Sequence, residues 1–474
     1  MTADTSPGGG LNQLEDHYNT FVTEQDIAEI AGAGLNWIRL PIPYWAIDVW
    51  PGEPFLARTS WKYILRVLGW ARKYGLRVNL DLHTIPGSQN GFNHSGKLGS
   101  VNFLNGVMGI ANAQRALNYI RILTEFITQE EFLDVVPVFG IVNEALLTTI
   151  GMNQLSEFYL EAHDMIRGIT GLGEGHGPFI SIHDGFIGVD SWNGFLPGSD
   201  RIILDTHPYF AFDGAPNVAP IATGTGPNAG GVWPSQACNA WGPVMNISRN
   251  TFGVTIAGEF SGGYNDCGLF LLGINTPPTF GGDCSIWQDA STWNETVIAG
   301  VKAFVLASMD ANQNWFYWTW KIGNSTANNR VESPLWSYQL GLQGGWIPTD
   351  PREAAGTCAA LSVSSPWKGT FLPWQTGGTG AGTIAATATA EFGVYPPAQI
   401  SNVPAAEMPF LPTYLPTGSI ETLPPPTLTG TTTSISEGNG WFDSSDTTGA
   451  PTSIVGCSYP SAWDAVDAVV PDTV

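Results

Sequence analysis

Apolar residues recur along most of the chain in two alternating rhythms. A three-to-four-residue spacing predicts helices over 23–33, 60–74, 112–132, 153–169 and 292–307. Gly75 follows the second of these and reads as its C-terminal cap. Between the helices lie short, nearly continuous apolar runs that predict buried strands. They cover 34–41, 77–83, 135–142, 179–183, 201–206, 253–257 and 315–320, with a long irregular stretch before the sixth. Strand and helix in alternation mean a parallel sheet. The fold class expected is α/β, a (β/α)8 TIM barrel lacking its first strand, because nothing in residues 1–22 reads as a buried strand. An open, doubly wound sheet is the alternative. It is disfavoured because polar residues recur at the C-terminal end of almost every strand, where a barrel builds its site, whereas an open sheet gathers ligands at one switch point.

From residue 375 the pattern stops. Runs such as Gly377-Gly378-Thr379-Gly380 and Pro424-Pro425-Pro426 occur among abundant Thr, Ser and Ala, and no Lys or Arg follows Lys368. Two regions are therefore expected: a barrel domain over 1–374 and a Ser/Thr/Pro/Gly-rich acidic tail over 375–474. The tail reads as disordered, since it has little apolar surface to offset its ordering entropy, or equally as an O-glycosylated stalk.

The 474 residues carry 41 acidic and 18 basic side chains, a formal charge of −23. Nine acids and no bases lie after Gln375, which leaves −14 for the barrel part. An acid excess argues against nucleic acid and anionic membranes as partners. Nineteen Trp and only 12% charged residues suit a neutral, ring-shaped ligand such as a sugar, although a large core also holds Trp. No run reaches the roughly 18 apolar residues of a membrane span, and no signal peptide is visible in the polar, Gly-rich start. Five cysteines (Cys238, Cys267, Cys284, Cys358 and Cys457) form no CxxC pair, so no metal or other cofactor is expected. Sequons at Asn93, Asn246, Asn294 and Asn324, spaced cysteines and few lysines lean towards secretion. Oligomeric state leaves no signal, and a monomer is the default.

The strand ends carry the candidate chemistry. In chain order they present Arg39; His83 at the head of Thr84-Ile85-Pro86-Gly87-Ser88-Gln89-Asn90-Gly91-Phe92; Asn143-Glu144; Asp205-Thr206-His207-Pro208-Tyr209; Gly258-Glu259-Phe260; and Trp318-Thr319-Trp320-Lys321. Two carboxylates at separate strand ends suit glycoside hydrolysis, one protonating the leaving oxygen and the other attacking the anomeric carbon. The fourth and seventh strand ends of a barrel face each other, which suits the roughly 5 Å separation of a retaining enzyme. The two roles need different pKa values: Glu259 ionised beside Arg39, and Glu144 protonated through burial beside a second carboxylate. Singly, each residue has an ordinary reading as a helix cap, a surface turn, an ion-pair partner, a core histidine or a core Trp. Their shared register at successive strand ends favours a site.

These segments resemble glycoside hydrolase family 5, and most closely its fungal exo-β-1,3-glucanases. The match rests on Trp37-Ile38-Arg39-Leu40-Pro41-Ile42, the run from His83 to Phe92, Ile141-Val142-Asn143-Glu144, Asp205 to Tyr209, Ala257-Gly258-Glu259-Phe260 and Trp318 to Lys321, and spans about residues 16–361. The resemblance implies Glu144 as acid/base and Glu259 as nucleophile. It implies Asn143 on the sugar 2-hydroxyl, Arg39 and Tyr209 orienting Glu259, His83 and His207 shaping the innermost subsite, and Trp320 as platform beneath the sugar. Phe92 and Phe212 match an aromatic pair that clamps the next glucose in exo-acting members. The same resemblance suggests the disulfides Cys238–Cys358 and Cys267–Cys284, with Cys457 left over. The implied activity is release of glucose from β-1,3-glucan, with some transfer to other sugars, in the extracellular space or cell wall. The alternatives are another family 5 enzyme acting on β-1,4-glucan or mannan, or a truncated, impaired glucan-binding product. Two departures stand out. The first strand of related enzymes, with a glutamate that contacts glucose, has no counterpart, which suggests an incomplete gene model or truncated product. Asn93 replaces an aspartate and forms a sequon beside the pocket, expected to be unmodified.

Overall fold

The computed structural model describes residues 10–50, 52–274 and 276–415. Among them are seven strands: β1 (Trp37–Pro43), β2 (Arg77–Thr84), β3 (Val138–Val142), β4 (Phe179–His183), β5 (Ile202–Thr206), β6 (Thr255–Phe260) and β7 (Trp315–Tyr317). They lie in one sheet in chain order, and β1–β2, β2–β3, β3–β4 and β6–β7 pair in parallel. This is the β/α barrel expected from the alternating pattern, with seven strands. Cys457 lies outside the described residues. The described residues divide into two compact units, one of residues up to Leu204 together with those from Phe371 onwards, and one within Asp205–Thr370.

In the first unit, α1 (Leu11–Thr20), which the pattern did not reveal, precedes α2 (Glu24–Gly32). Thr23 opens α2 with a capping box closed by Asp26. Helix α3 (Trp61–Lys73) ends at Gly75, whose φ of 70° takes the left-handed turn. Helices α4 (Gly109–Ile127), the short α5 (Leu147–Ile150) and α6 (Met152–Thr170) follow their strands in turn. Every residue of β2 and β3 is buried, as parallel strands covered on both faces require. Strand β1 runs four residues beyond Arg39, so that residue stands within the strand rather than at its end.

In the second unit the expected irregular stretch contains a nineteen-residue helix, α7 (Trp233–Thr251). Pro234 at its first turn is compatible with a helix, but Gly242-Pro243 in the middle breaks the sequence signal. Neighbours override that propensity. Cys238 and Cys358 form a disulfide between α7 and α10 (Thr357–Ala360), and α7 packs along α8 (Glu295–Asn312). The helix α9 (Tyr338–Gly344) precedes α10, and the pair Cys267–Cys284 staples the segment after β6. Both disulfides are those implied by the resemblance.

Residues 371–415 pack with the first unit, so the part of the expected tail from 375 to 415 belongs to the described residues, and the remainder lies outside them. Gln375 is buried; α11 (Ala386–Phe392) brings Phe392 against Phe195; and Ile400 and Val403 pack with Ile110. At the end of this segment the Tyr414 ring meets Trp50, and its N–H donates to Gln114 Oε1 at 2.6 Å. Low-complexity composition hid a few apolar anchors spaced among turns. The acidic residues after Tyr414, from Glu421 to Asp472, lie outside the described residues.

Candidate active site

The first unit gathers Arg39, His83, Phe92, Asn143 and Glu144. Asn143 and Glu144 follow directly on β3, and Glu144 has a φ of 50°, a left-handed conformation unusual for a residue with a side chain. The turn it makes leaves the carboxylate largely buried, with Oε2 3.2 Å from His94 Nε2. Asn143 is held on both sides of its amide. Its Oδ1 accepts from Arg39 Nη2 at 2.6 Å, and its Nδ2 lies 3.4 Å from His83 Nε2. Arg39 also pairs with Asp81 Oδ2 at 3.1 Å, and the same oxygen is 2.7 Å from His83 Nδ1. A carboxylate against Nδ1 keeps the proton there, so Nε2 is left to accept from Asn143. Arg39, Asp81, His83 and Asn143 thus form one chain of charge-assisted contacts that fixes the orientation of the amide preceding Glu144.

Gln89 backs this chain from behind. It is fully buried, and its Nε2 donates to the carbonyls of His83 and Asn143 at 2.7 and 2.8 Å. Phe92 is 41% exposed, and its ring lies 5.6 Å from His94 and 6.2 Å from Phe186. Asn93 is exposed on the same turn, between Phe92 and His94.

The second unit gathers Glu259, His207, Tyr209, Phe212 and Trp320. Glu259 is the penultimate residue of β6 and is buried. Tyr209 donates its hydroxyl to Glu259 Oε2 at 3.0 Å, and His207 Nδ1 stands 3.6 Å from the same oxygen. Asp205 lies beneath: its Oδ2 is 3.7 Å from His207 Nε2, and its Oδ1 accepts the Gly258 N–H at 2.6 Å. A Cβ on Gly258 would stand 2.2 Å from both oxygens of Asp205, so only glycine lets that carboxylate reach the backbone before Glu259. Phe212 is 49% exposed, with Tyr209 and Trp336 rings at 5.4 and 5.6 Å. Trp320 stacks on Tyr338 at 6.0 Å, just beyond the cis Trp318–Thr319 peptide.

Near the two proposed carboxylates a pattern recurs that sequence reasoning did not single out. Asp81-Leu82-His83 and Asp205-Thr206-His207 each place an aspartate two residues before a histidine. On a strand, residues two apart share a face, so each pair was readable as an Asp and a His on one side of the chain. His94 and Phe186 were also missed. Both sit in loops, where no periodicity announces which way a side chain faces.

No family model matches the chain. A search of curated proteins finds it 34% identical over 367 residues to the probable glucan 1,3-beta-glucosidase D of Aspergillus clavatus, covering 71% of this chain and 41% of that protein. The glucan 1,3-beta-glucosidase D of Emericella nidulans is also 34% identical, with the same coverage. The chain thus spans about 41% of the length of the curated relatives it matches. Among solved structures, the rutinosidase from Aspergillus niger superposes with a TM-score of 0.52 at 17% identity, over 71% of this chain and 85% of that one. Over 71% of its length the chain is similar in sequence to fungal glucan 1,3-beta-glucosidases D, and it shares the barrel fold of the rutinosidase.

Proposed function

We propose that the chain is the catalytic barrel of a retaining family 5 glycoside hydrolase, an exo-β-1,3-glucanase that releases glucose from β-1,3-glucan. The observation that carries this is the pair of buried carboxylates, Glu144 directly after β3 beside His94 and Glu259 near the end of β6 beside Tyr209 and His207. The chemistry follows from their surroundings. Glu259, with the Tyr209 hydroxyl fixing one oxygen, attacks the anomeric carbon with the other. As the glycosidic bond breaks, Glu144 gives its proton to the departing oxygen, and a glycosyl ester with Glu259 forms. Glu144, now ionised, takes a proton from water; the water oxygen attacks the same carbon and frees Glu259. A sugar hydroxyl in place of water gives transglycosylation.

Asn143, fixed by Arg39 and His83, is suited to hold the sugar 2-hydroxyl, a contact that strengthens as the oxocarbenium-like state forms. His83 and His207 shape the innermost subsite, and Trp320 offers a flat apolar face to the ring. Phe92 and Phe212, both exposed, are suited to clamp the next glucose. Two disulfides fit an oxidising compartment, and an extracellular or cell-wall setting is proposed with them. No helix among the described residues is long and apolar enough to cross a membrane.

The test is hydrolysis of laminarin by the wild-type chain and Glu259→Gln. The variant is expected to lose about a thousandfold or more in kcat, since the amide cannot form the ester. Full activity in the variant would overturn the mechanism. Wild-type action on cellulose or mannan in preference to laminarin would overturn the substrate.

A further inference from the structure

The returning segment touches two loops that the proposed site depends on. Residues 85–108 link β2 to α4 and carry Phe92 and His94, while residues 143–151 link β3 to α6 and carry Asn143 and Glu144. Inside the unit the two loops meet where Leu146 N–H donates to the Gln89 carbonyl at 2.9 Å. Outside, they meet through residues 399–403, some 250 positions further along the chain.

Ser401 forms a parallel bridge with Asn105, and its carbonyl accepts the Gly106 N–H at 2.9 Å. Asn402 Nδ2 donates to Asn105 Oδ1 at 2.9 Å. The same Ser401 donates its hydroxyl to the Ile150 carbonyl at 3.2 Å, six residues after Glu144. Gln154 Nε2 donates to the Gln399 carbonyl at 2.8 Å, fixing the segment to the first turns of α6. Ile400 is 2% exposed, packs with Ile110 and Val403, and fills the space above Gly109, where a Cβ would meet its Cδ1 at 2.9 Å. One short stretch therefore hydrogen-bonds to both loops and has its own apolar anchor.

We propose that residues 399–403 are an external brace that positions the loops bearing Phe92 and Glu144, with Ile400, Ser401 and Asn402 as positioning residues. Its effect on catalysis rests on the roles proposed above for those loops. Helices that follow strands in a barrel begin at the face where the strands end, so a clamp across the starts of α4 and α6 acts on the catalytic side. The brace touches no substrate. It removes freedom from loops that must hold reacting groups in place, and small misplacements of such groups cost rate steeply.

The test uses the full chain with Ile400→Asp, which forces a charge into the apolar anchor, and Ile400→Val, which keeps it. Amide hydrogen exchange is read over residues 99–109 and 146–151, and over α8 as a reference. Ile400→Asp is expected to raise exchange in both loops by about tenfold or more, with α8 unchanged and Ile400→Val close to wild type. On laminarin, kcat is expected to fall by about tenfold or more, with KM changed less. If Ile400→Asp fails to fold, Asn402→Ala, which deletes one bond to the first loop, takes its place with a smaller effect in the same direction. Unchanged exchange in either loop would overturn the brace. Loosened loops with unchanged kcat and KM would overturn its part in catalysis. A wild-type chain inert on all glucans would refute the proposed function, while exchange would still decide whether the brace holds the loops.

Discussion

At the scale of single residues, the site is built from carboxylates whose partners are fixed in pairs. Arg39 is the clearest case. Its side chain is 4% exposed and joins Asp81 to Asn143. Removing it takes a positive charge from beside the Asp81 carboxylate, which is 3% exposed and 2.7 Å from His83. Breaking a buried pair from one side is far costlier than replacing both partners. Arg39→Met is therefore expected to lower stability by about 3–5 kcal/mol in urea unfolding, with a smaller loss when Asp81→Leu is added. An Arg39→Met loss below about 1 kcal/mol would mean that the guanidinium is not structurally coupled to Asp81. Most of these residues were legible as candidates, because the strand ends present them in register. Their connections were not: neither composition nor spacing reveals that Arg39 Nη2 sits between Asp81 and Asn143. The glycine before Glu259 was likewise visible as a motif letter, but its reason is the Asp205 carboxylate beneath it.

At the scale of elements, regular alternation made the strands readable, and local disruption hid what lay between. β4 was read without error and β5 to within one residue. Helix α7 escaped because Gly242-Pro243 interrupts it, and its existence depends on tertiary partners. The disulfide from Cys238 to Cys358 closes a loop of 120 residues, and that from Cys267 to Cys284 one of 17. Loop-closure entropy scales with the logarithm of length, giving about 5 and about 3 kcal/mol as upper estimates. Replacing both cysteines of a pair by serine should thus destabilise more for Cys238–Cys358 than for Cys267–Cys284, measured as thermal midpoints. The opposite ranking would show that the longer loop is already restricted in the unfolded chain. The segment 375–415 escaped for another reason: its anchors, Ile400, Val403 and Tyr414, are too sparse to set a period.

At the scale of the molecule, the charge of −23 says little about the fold, but one buried acid ties stability to pH. Burial alone would raise the Asp200 pKa. Hydrogen bonds from Arg201, the Gly173 N–H and the charge of Arg167 outweigh it and hold the group below its usual 3.8. Arg167, desolvated and close to Arg201, is itself pushed down to about 9. Because the folded pKa of Asp200 is depressed, its stabilisation is complete above the unfolded value and is lost as pH falls through the folded one. Asp200→Asn should therefore be less stable at pH 7 and show a flatter loss of stability below about pH 4. Parallel acid-unfolding curves for the two proteins would exclude this role.

The return of residues 371–415 to the first unit also bears on synthesis. A ribosome delivers the chain from its N-terminus, and domains tend to fold in that order. Glu144 emerges early, yet Ser401 emerges only after the whole of Asp205–Thr370 has been made. The nascent first unit must therefore wait, with two loops unclamped, while the second is translated. A stop codon anywhere between 371 and 399 would leave both carboxylates in the chain but make that waiting state permanent.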